Sequence, residues 1–195
     1  MYNPYELKDT ECLDTPCLIY YTDIIRENIQ KVIQIAGSPD RLWPHIKTHK
    51  SLDLVKLQIQ YGIRKFKAAT ISEAETAAAG GAEKVVLAYP LIGPAMKRYL
   101  DLAAAYPSTV FYAVGDDMDQ LRRLSELSLK YGRPIKFLAD VDMGMHRTGV
   151  FVSHLEDFCR EASRMEGISF EGLHCYDGSH LKDFGKRDAE IAALD

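Results

Sequence analysis

Short apolar or β-branched runs alternate with amphipathic helical segments along most of this chain. Apolar residues recur at helical spacing from Ile25 to Ala36 and stop at Gly37, which is typical of a helix that ends in glycine. A strand is also expected around Lys47, before a helix that opens at Ser51. Five further runs predict strands near 65–71, 85–89, 110–114, 135–141 and 168–176. Six strands are therefore expected to alternate with helices.

This alternation predicts an α/β fold in which right-handed crossovers join parallel strands, either as an open doubly wound sheet or as a (β/α) barrel. The sequence has no glycine-rich dinucleotide loop and no P-loop motif, so the barrel is favoured. Reactive residues of such barrels lie at the carboxyl ends of strands. The residues at or just past predicted strand ends are Lys47, Thr70, Tyr89, Asp142, Arg147 and Tyr176.

Capping signals place the start of one helix between two of these strands. Ser72 is followed three residues later by Glu75, which is the spacing of a capping box. We therefore expect this pair to satisfy the first backbone N–H groups of the helix.

Lys47 lies between two histidines in the segment Trp43–Lys50. If the segment is extended, His45, Lys47 and His49 share one face, although Pro44 would interrupt the hydrogen bonding of a central strand. A lysine amine crowded by other cations loses its proton more easily and can form a Schiff base with a carbonyl group. The alternative is a solvated basic loop or an anion-binding patch without covalent chemistry.

Two later segments carry further candidate chemistry at predicted strand ends. Arg147 suits an anionic oxygen because its guanidinium keeps its charge and has fixed fork geometry; the alternative is a salt bridge to Asp140 or Asp142. Tyr176 offers a phenolic hydroxyl, and His180 offers a group that titrates near neutral pH. The alternative for this pair is a core tyrosine and a surface histidine.

The composition favours one soluble domain that handles small molecules. The 195 residues are 47% hydrophobic and 27% charged, with a formal net charge of −4, and no long basic run suggests nucleic-acid binding. The four cysteines are scattered, so neither a zinc site nor a disulfide framework is expected. No signal peptide or membrane span is recognisable, and a cytoplasmic location is expected by default. The sequence stops at Asp195 in an apparent helix, so we expect a fragment of a longer protein.

Five blocks in order carry a resemblance to a known family. They are Pro44–Lys50, Ala69–Glu75, Leu87–Leu91, Asp142–Gly149 and Gly172–Gly178. Together they resemble the D-threonine aldolase and D-serine dehydratase family, which belongs to the alanine racemase-like, fold type III enzymes that use pyridoxal 5'-phosphate. The resemblance implies a TIM-type barrel of the alanine racemase N-terminal kind, with about six of the eight strands present. Residues 1–195 would form this partial cofactor-binding domain, and the C-terminal β domain would be absent.

The resemblance also implies roles for individual residues. Lys47 matches the lysine that carries pyridoxal phosphate as a Schiff base, with His45 beside it as a cofactor contact. Arg147 matches an arginine close to the cofactor's phenolic oxygen, and Tyr176 a tyrosine near its pyridine ring. His180 and Lys47 are the catalytic candidates. No metal ligand is assigned on this chain, although full-length relatives bind a divalent metal.

The implied activity is that of a lyase on a D-3-hydroxy amino acid, of the D-threonine aldolase type, which releases glycine and an aldehyde. Asp140 stands where alanine racemases normally have a lysine, which moves the expectation away from racemisation. D-Serine dehydratase-type or racemase activity remains open, as does a truncated cofactor-binding module without turnover. The expected partners are a small amino-acid substrate and a second copy of the chain in a homodimer, with no nucleic acid and no membrane.

Overall fold

The computed structural model describes residues 5–178 together with 185, 188, 189 and 192. Five parallel strands lie side by side in chain order and form an open, partial barrel. The strands are β1 (Lys65–Ala68), β2 (Lys84–Leu87), β3 (Val110–Gly115), β4 (Ile135–Val141) and β5 (Ile168–Cys175). The helices are α1 (Thr22–Ala36), α2 (Leu52–Gln60), α3 (Ile71–Ala79), α4 (Pro94–Ala105), α5 (Met118–Tyr131) and α6 (Val152–Arg164). The predicted α/β class and barrel architecture are confirmed.

The prediction of a strand around Lys47 was wrong. The described sheet therefore has five strands and not six. His45 makes one isolated parallel bridge to Lys67 of β1, and the chain then turns into a short 3-10 helix, Ile46–Thr48. Pro44 has no N–H to donate to a ladder, so only its carbonyl oxygen takes part, accepting from Lys67 N–H at 3.0 Å. The segment therefore touches the edge of β1 without continuing as a strand.

The two faces of the sheet have different surroundings. On β1 and β4 the side chains of Phe66, Ala68 and Phe137 are fully buried in the apolar core. Burying one such phenylalanine contributes about 2–3 kcal/mol. Lys67 and Tyr112 lie among the side chains that line a recess on the sheet. The strands thus present apolar groups to the core and a mixture of apolar and polar groups to the recess. In the described part of the chain, no helix combines the length and apolar character needed to cross a bilayer.

The N-terminus of α3 is capped two residues earlier than the sequence suggested. The expected pair Ser72 and Glu75 does not form the cap. Thr70 Oγ1 accepts from Glu73 N–H at 3.2 Å, and the Glu73 carboxylate accepts from Ala69 N–H at 2.7 Å. The capping signal is therefore Thr70 with Glu73, which have the same spacing as the pair that was expected.

Replacing Thr70 with alanine is expected to lower the free energy of unfolding by about 1 kcal/mol, because the cap hydrogen bond to Glu73 N–H is lost. Urea denaturation followed by circular dichroism measures the change. Thr76→Ala is the matched control, since Thr76 lies on the same helix and its exposed hydroxyl donates to the Ser72 carbonyl without capping the helix start. A Thr70 variant no less stable than the Thr76 variant would contradict this assignment of the cap.

Candidate active site

The segment that presents Lys47 is a turn held by its own side chains. His45 Nδ1 accepts from Lys47 N–H at 3.3 Å, which stabilises the 3-10 turn in place of an extended strand. Ile46 is fully buried and anchors the turn in the core, whereas the Lys47 side chain is exposed. The shared face expected for His45, Lys47 and His49 is therefore not formed, but Lys47 is still presented to solvent.

The histidines that flank Lys47 do not supply the positive charge that the sequence suggested. Burial, followed by the charges of Lys47 and Lys67, lowers the pKa of His45 to about 4. Burial also lowers the pKa of His49, with the Glu73 charge opposing it. Both imidazoles are therefore neutral near pH 7, and the cation that shares the surroundings of Lys47 is Lys67.

Glu73, in the first turn of α3, links this helix to the end of the Lys47 turn through an ion pair with Lys50. Its side chain is buried, with 3% of the residue exposed, and it pairs with the amine of Lys50. Lys50 itself has a positive φ of 49°, so the chain reverses sharply where the turn ends. Sequence reasoning missed this contact, because the two residues are 23 positions apart.

Arg147 and Tyr176 come together, as the sequence predicts for residues at neighbouring strand ends. The guanidinium carbon of Arg147 lies 5.6 Å from the centroid of the Tyr176 ring. The alternative salt bridges of Arg147 are not formed, since Asp140 binds His174 and Asp142 binds His146. Within the described residues, Arg147 is thus a cation without a carboxylate partner, placed against an aromatic ring.

A tight loop fixes the approach to Arg147. The Asp142 carboxylate accepts from the backbone N–H groups of Gly144 and His146 at 3.0 and 2.9 Å, and contacts His146 Nδ1 at 2.8 Å. Burial alone would raise the pKa of Asp142, but these hydrogen bonds outweigh it and lower the pKa. Gly149 closes the loop at φ +109°, where an added Cβ would lie 2.3 Å from Asp142 N. Only glycine fits there.

Lys67 is a site residue that the sequence reasoning missed. It extends from β1 to within 5.8 Å of the Tyr176 ring centroid, so two cations contact the same aromatic ring. Burial lowers the pKa of its amine; Asp140 opposes this shift, while the charges of Lys47 and Arg147 add to it. The alternation of Lys65 and Lys67 with buried Phe66 and Ala68 was the available signal.

His174 and Asp140 form a second missed pair, on neighbouring strands. The register of β4 and β5 places them opposite each other, and His174 Nδ1 lies 2.6 Å from Asp140 Oδ1. His174 Nε2 is buried, and no described residue offers it a hydrogen bond. These two residues, Arg147 and Tyr176 line one small recess.

Among the described residues, the remaining predicted site residues are not found in the cluster around Tyr176. Thr70 is a helix cap, and Tyr89 is 62% exposed on the surface, so neither joins the cluster around Tyr176. His180 lies outside the described residues, and its catalytic role stays a prediction. Across residues 5–178 and the four isolated described positions, no three His, Cys, Asp or Glu side chains are grouped to hold a metal ion.

Comparisons with known proteins agree with this architecture. The sequence profile described as alanine racemase, N-terminal domain, matches residues 21–192. A 3-hydroxy-D-aspartate aldolase of Paracoccus denitrificans (strain Pd 1222) is 31% identical over 190 residues, which cover 95% of this chain and 49% of that protein. A D-threonine aldolase of an Arthrobacter species is 28% identical over 169 residues, 86% of this chain and 44% of that protein.

A solved structure is similar over the same region. The crystal structure of D-threonine aldolase from Filomicrobium marinum superposes with a TM-score of 0.78 at 29% sequence identity, covering 93% of this chain and 50% of that one. The chain spans about half the length of the curated relatives it matches.

Proposed function

The chain belongs to the alanine racemase N-terminal domain family, and from this premise we propose that residues 1–195 form a pyridoxal phosphate-binding barrel domain of an amino-acid lyase. The proposed reaction is the retro-aldol cleavage of a D-3-hydroxy amino acid to glycine and an aldehyde. The similarity to two named aldolases supports the reaction type. The observation that carries the proposal is that Lys67, which contacts the Tyr176 ring together with Arg147, also feels the charge of the exposed Lys47.

The residues present fit this cofactor. The Lys47 side chain is exposed and, in the described part of the chain, its amine has no ion pair, so the amine is accessible to an aldehyde. Among the described residues Arg147 has no carboxylate partner and lies beside a planar ring, an arrangement that suits an aromatic ligand carrying a phenolate oxygen. Lys47 would hold the cofactor covalently, and Arg147 and Tyr176 would orient its ring.

The chain's own residues would then accept the proton of the substrate hydroxyl and set the charge around Lys47. When bound, the cofactor withdraws the electrons that the broken bond leaves on the α carbon. A base must take the proton of the 3-hydroxyl as the Cα–Cβ bond breaks, and Lys47 and His180 are the proposed bases. His45 stays neutral near pH 7 because its pKa is about 4, so it adds no positive charge beside Lys47.

Product analysis tests the proposed reaction. The purified chain, incubated with pyridoxal phosphate and either D-threonine or D-3-hydroxyaspartate, is expected to release glycine and the corresponding aldehyde in equal amounts. Release of ammonia and a keto acid without glycine would contradict cleavage and indicate a dehydratase. Cofactor binding without any product would instead favour a truncated module that binds the cofactor but does not catalyse the reaction. Sedimentation would then measure whether this module forms the predicted homodimer.

A further inference from the structure

The loop between β4 and α6 carries Arg147 and is held by the ends of two neighbouring strands. Its base is an isolated bridge between Val141, the last residue of β4, and Val150. Just before this bridge, Gly149 N–H donates to the carboxylate of Asp116 at 2.6 Å. Asp116 directly follows β3, and β3 lies beside β4 in the sheet. The loop is therefore tied both to its own strand and to the strand next to it.

His146 holds the middle of the same loop. Its backbone is left-handed, with a φ of 52°, a conformation that is uncommon for residues other than glycine. Its side chain offsets this cost, because His146 Nδ1 lies 2.8 Å from the carboxylate of Asp142. A carboxylate only accepts hydrogen bonds, so Nδ1 carries the proton and donates it. His146 thus binds Asp142 through its ring as well as through its backbone N–H.

The position of Arg147 depends on this backbone. Among the described residues its guanidinium has no carboxylate partner, and it rests against the ring of Tyr176 at 5.6 Å. An ion pair would hold the charged end directly, whereas a contact with a ring face restricts it less. The residue before Arg147 is bonded to Asp142, whose side chain is only 4% exposed, so water is largely kept from that carboxylate. The bond between His146 and Asp142 is therefore the contact that fixes Arg147 from the side of β4.

We propose that His146 is a positioning residue for the cofactor, which acts by fixing the backbone of Arg147 through its bond to Asp142. The guanidinium would then be held in place for the phenolate oxygen of the cofactor. This inference rests on the proposed function and adds a residue that contacts neither substrate nor cofactor. The His146 side chain is 72% exposed, so it contributes little to the core, and its effect should be seen in cofactor binding more than in stability.

His146→Gly separates positioning from stability. Glycine accepts the left-handed backbone but removes the ring that binds Asp142, so the midpoint of thermal unfolding should stay close to that of the wild type. The dissociation constant of pyridoxal phosphate is measured by titrating the absorbance band that depends on Lys47. It should rise about fivefold, the order of one weakened hydrogen bond. His146→Asn should recover part of this loss, because its amide donates and asparagine also tolerates this backbone conformation.

A double-mutant cycle tests whether His146 acts through Arg147. Arg147→Ala removes the guanidinium, so adding His146→Gly to it should weaken cofactor binding by less than about twofold further. A histidine with an independent structural role would cause the same loss of about fivefold in both backgrounds. His154→Ala is the matched control and should leave the affinity unchanged. His154 is an exposed histidine on α6 that has no side-chain hydrogen bond in the described part of the chain.

Amide hydrogen exchange, followed by NMR, tests the same loop without cofactor. Gly144 N–H also donates to Asp142, so its exchange should become about tenfold faster in His146→Gly as this local structure opens more often. The amide of Val150 should be unaffected, because its bridge remains. An unchanged rate at Gly144, or independent losses in the cycle, would overturn this inference and leave the proposed function standing. Absence of any Lys47-dependent band would instead refute the proposed function, and this inference with it.

Discussion

Replacing Lys47 with alanine is expected to abolish covalent binding of pyridoxal phosphate, and with it all turnover. The exposed Lys47 side chain lies in a 3-10 turn, and alanine removes the amine that would attack the aldehyde. The wild type mixed with cofactor should develop an absorbance band in the violet that the variant lacks. Borohydride reduction followed by peptide mass mapping should place the cofactor on the peptide that contains Lys47.

Two control variants sharpen this result. Lys47→Arg keeps the positive charge but not the nucleophile, since a guanidinium stays protonated, so it should also lose the band. Lys56→Ala alters an exposed lysine on α2 and should leave the band unchanged. If the alanine variant at position 47 retains the band and the cofactor maps to Lys67, then Lys67 and not Lys47 is the anchor.

The strands of the barrel could be predicted from sequence because they depend on local periodicity. The runs near 110–114 and 135–141 coincide with β3 and β4 almost residue for residue. The prediction failed around Lys47, where a strand was expected. There the missing N–H of Pro44 and the bond from Lys47 N–H to the His45 ring decide the conformation, and neither effect has a periodic signature.

Half of the candidate site could not be predicted, because its contacts join distant parts of the chain. Arg147 and Tyr176 were recognisable from their positions at strand ends. Asp140 and His174 are 34 positions apart, and their pairing depends on the register between β4 and β5, which shifts at an irregularity near Phe137. A one-residue change in register would move His174 to the other face.

Removing the carboxylate of Glu73 is expected to destabilise the fold more than removing the neighbouring cap at Thr70. Glu73→Ala leaves the N–H of Ala69 without its acceptor and Lys50 without its partner. One hydrogen bond to a charged group is worth about 1.5–3 kcal/mol. The ion pair adds little, because the Lys50 side chain is 63% exposed and solvent screens it. We therefore expect a loss of about 3 kcal/mol in the free energy of unfolding, measured by urea denaturation.

The exposed Glu75 provides the control on the same helix. Glu75→Ala should change the free energy of unfolding by about 0.5 kcal/mol or less, as for most surface substitutions. Glu73→Gln keeps the shape and an accepting oxygen but loses the charge, so it should lie between wild type and Glu73→Ala. Similar losses at positions 73 and 75 would contradict a special role for Glu73.

The stability that Glu73 provides is also expected to depend on pH. Burial alone would raise the pKa of Glu73, but the hydrogen bonds from Lys50 and Ala69 and the charge of Lys50 outweigh it, so the pKa is lowered. A carboxyl group whose pKa is lower in the folded protein stabilises fully above its unfolded pKa, about 4.3. That contribution is lost as the pH falls through the folded pKa. The gap in unfolding free energy between wild type and Glu73→Gln should therefore be constant near neutral pH and close at more acidic pH.

The same variant links this stability to the site. Because Glu73 holds Lys50, three residues after Lys47, its loss frees the far end of the turn that presents the amine. Glu73→Gln should therefore slow attachment of pyridoxal phosphate to Lys47, measured as the rate at which the violet band appears, while the final amplitude of the band stays the same. An unchanged rate, together with a stability gap that does not close in acid, would show that Glu73 neither positions the turn nor depends on its charge.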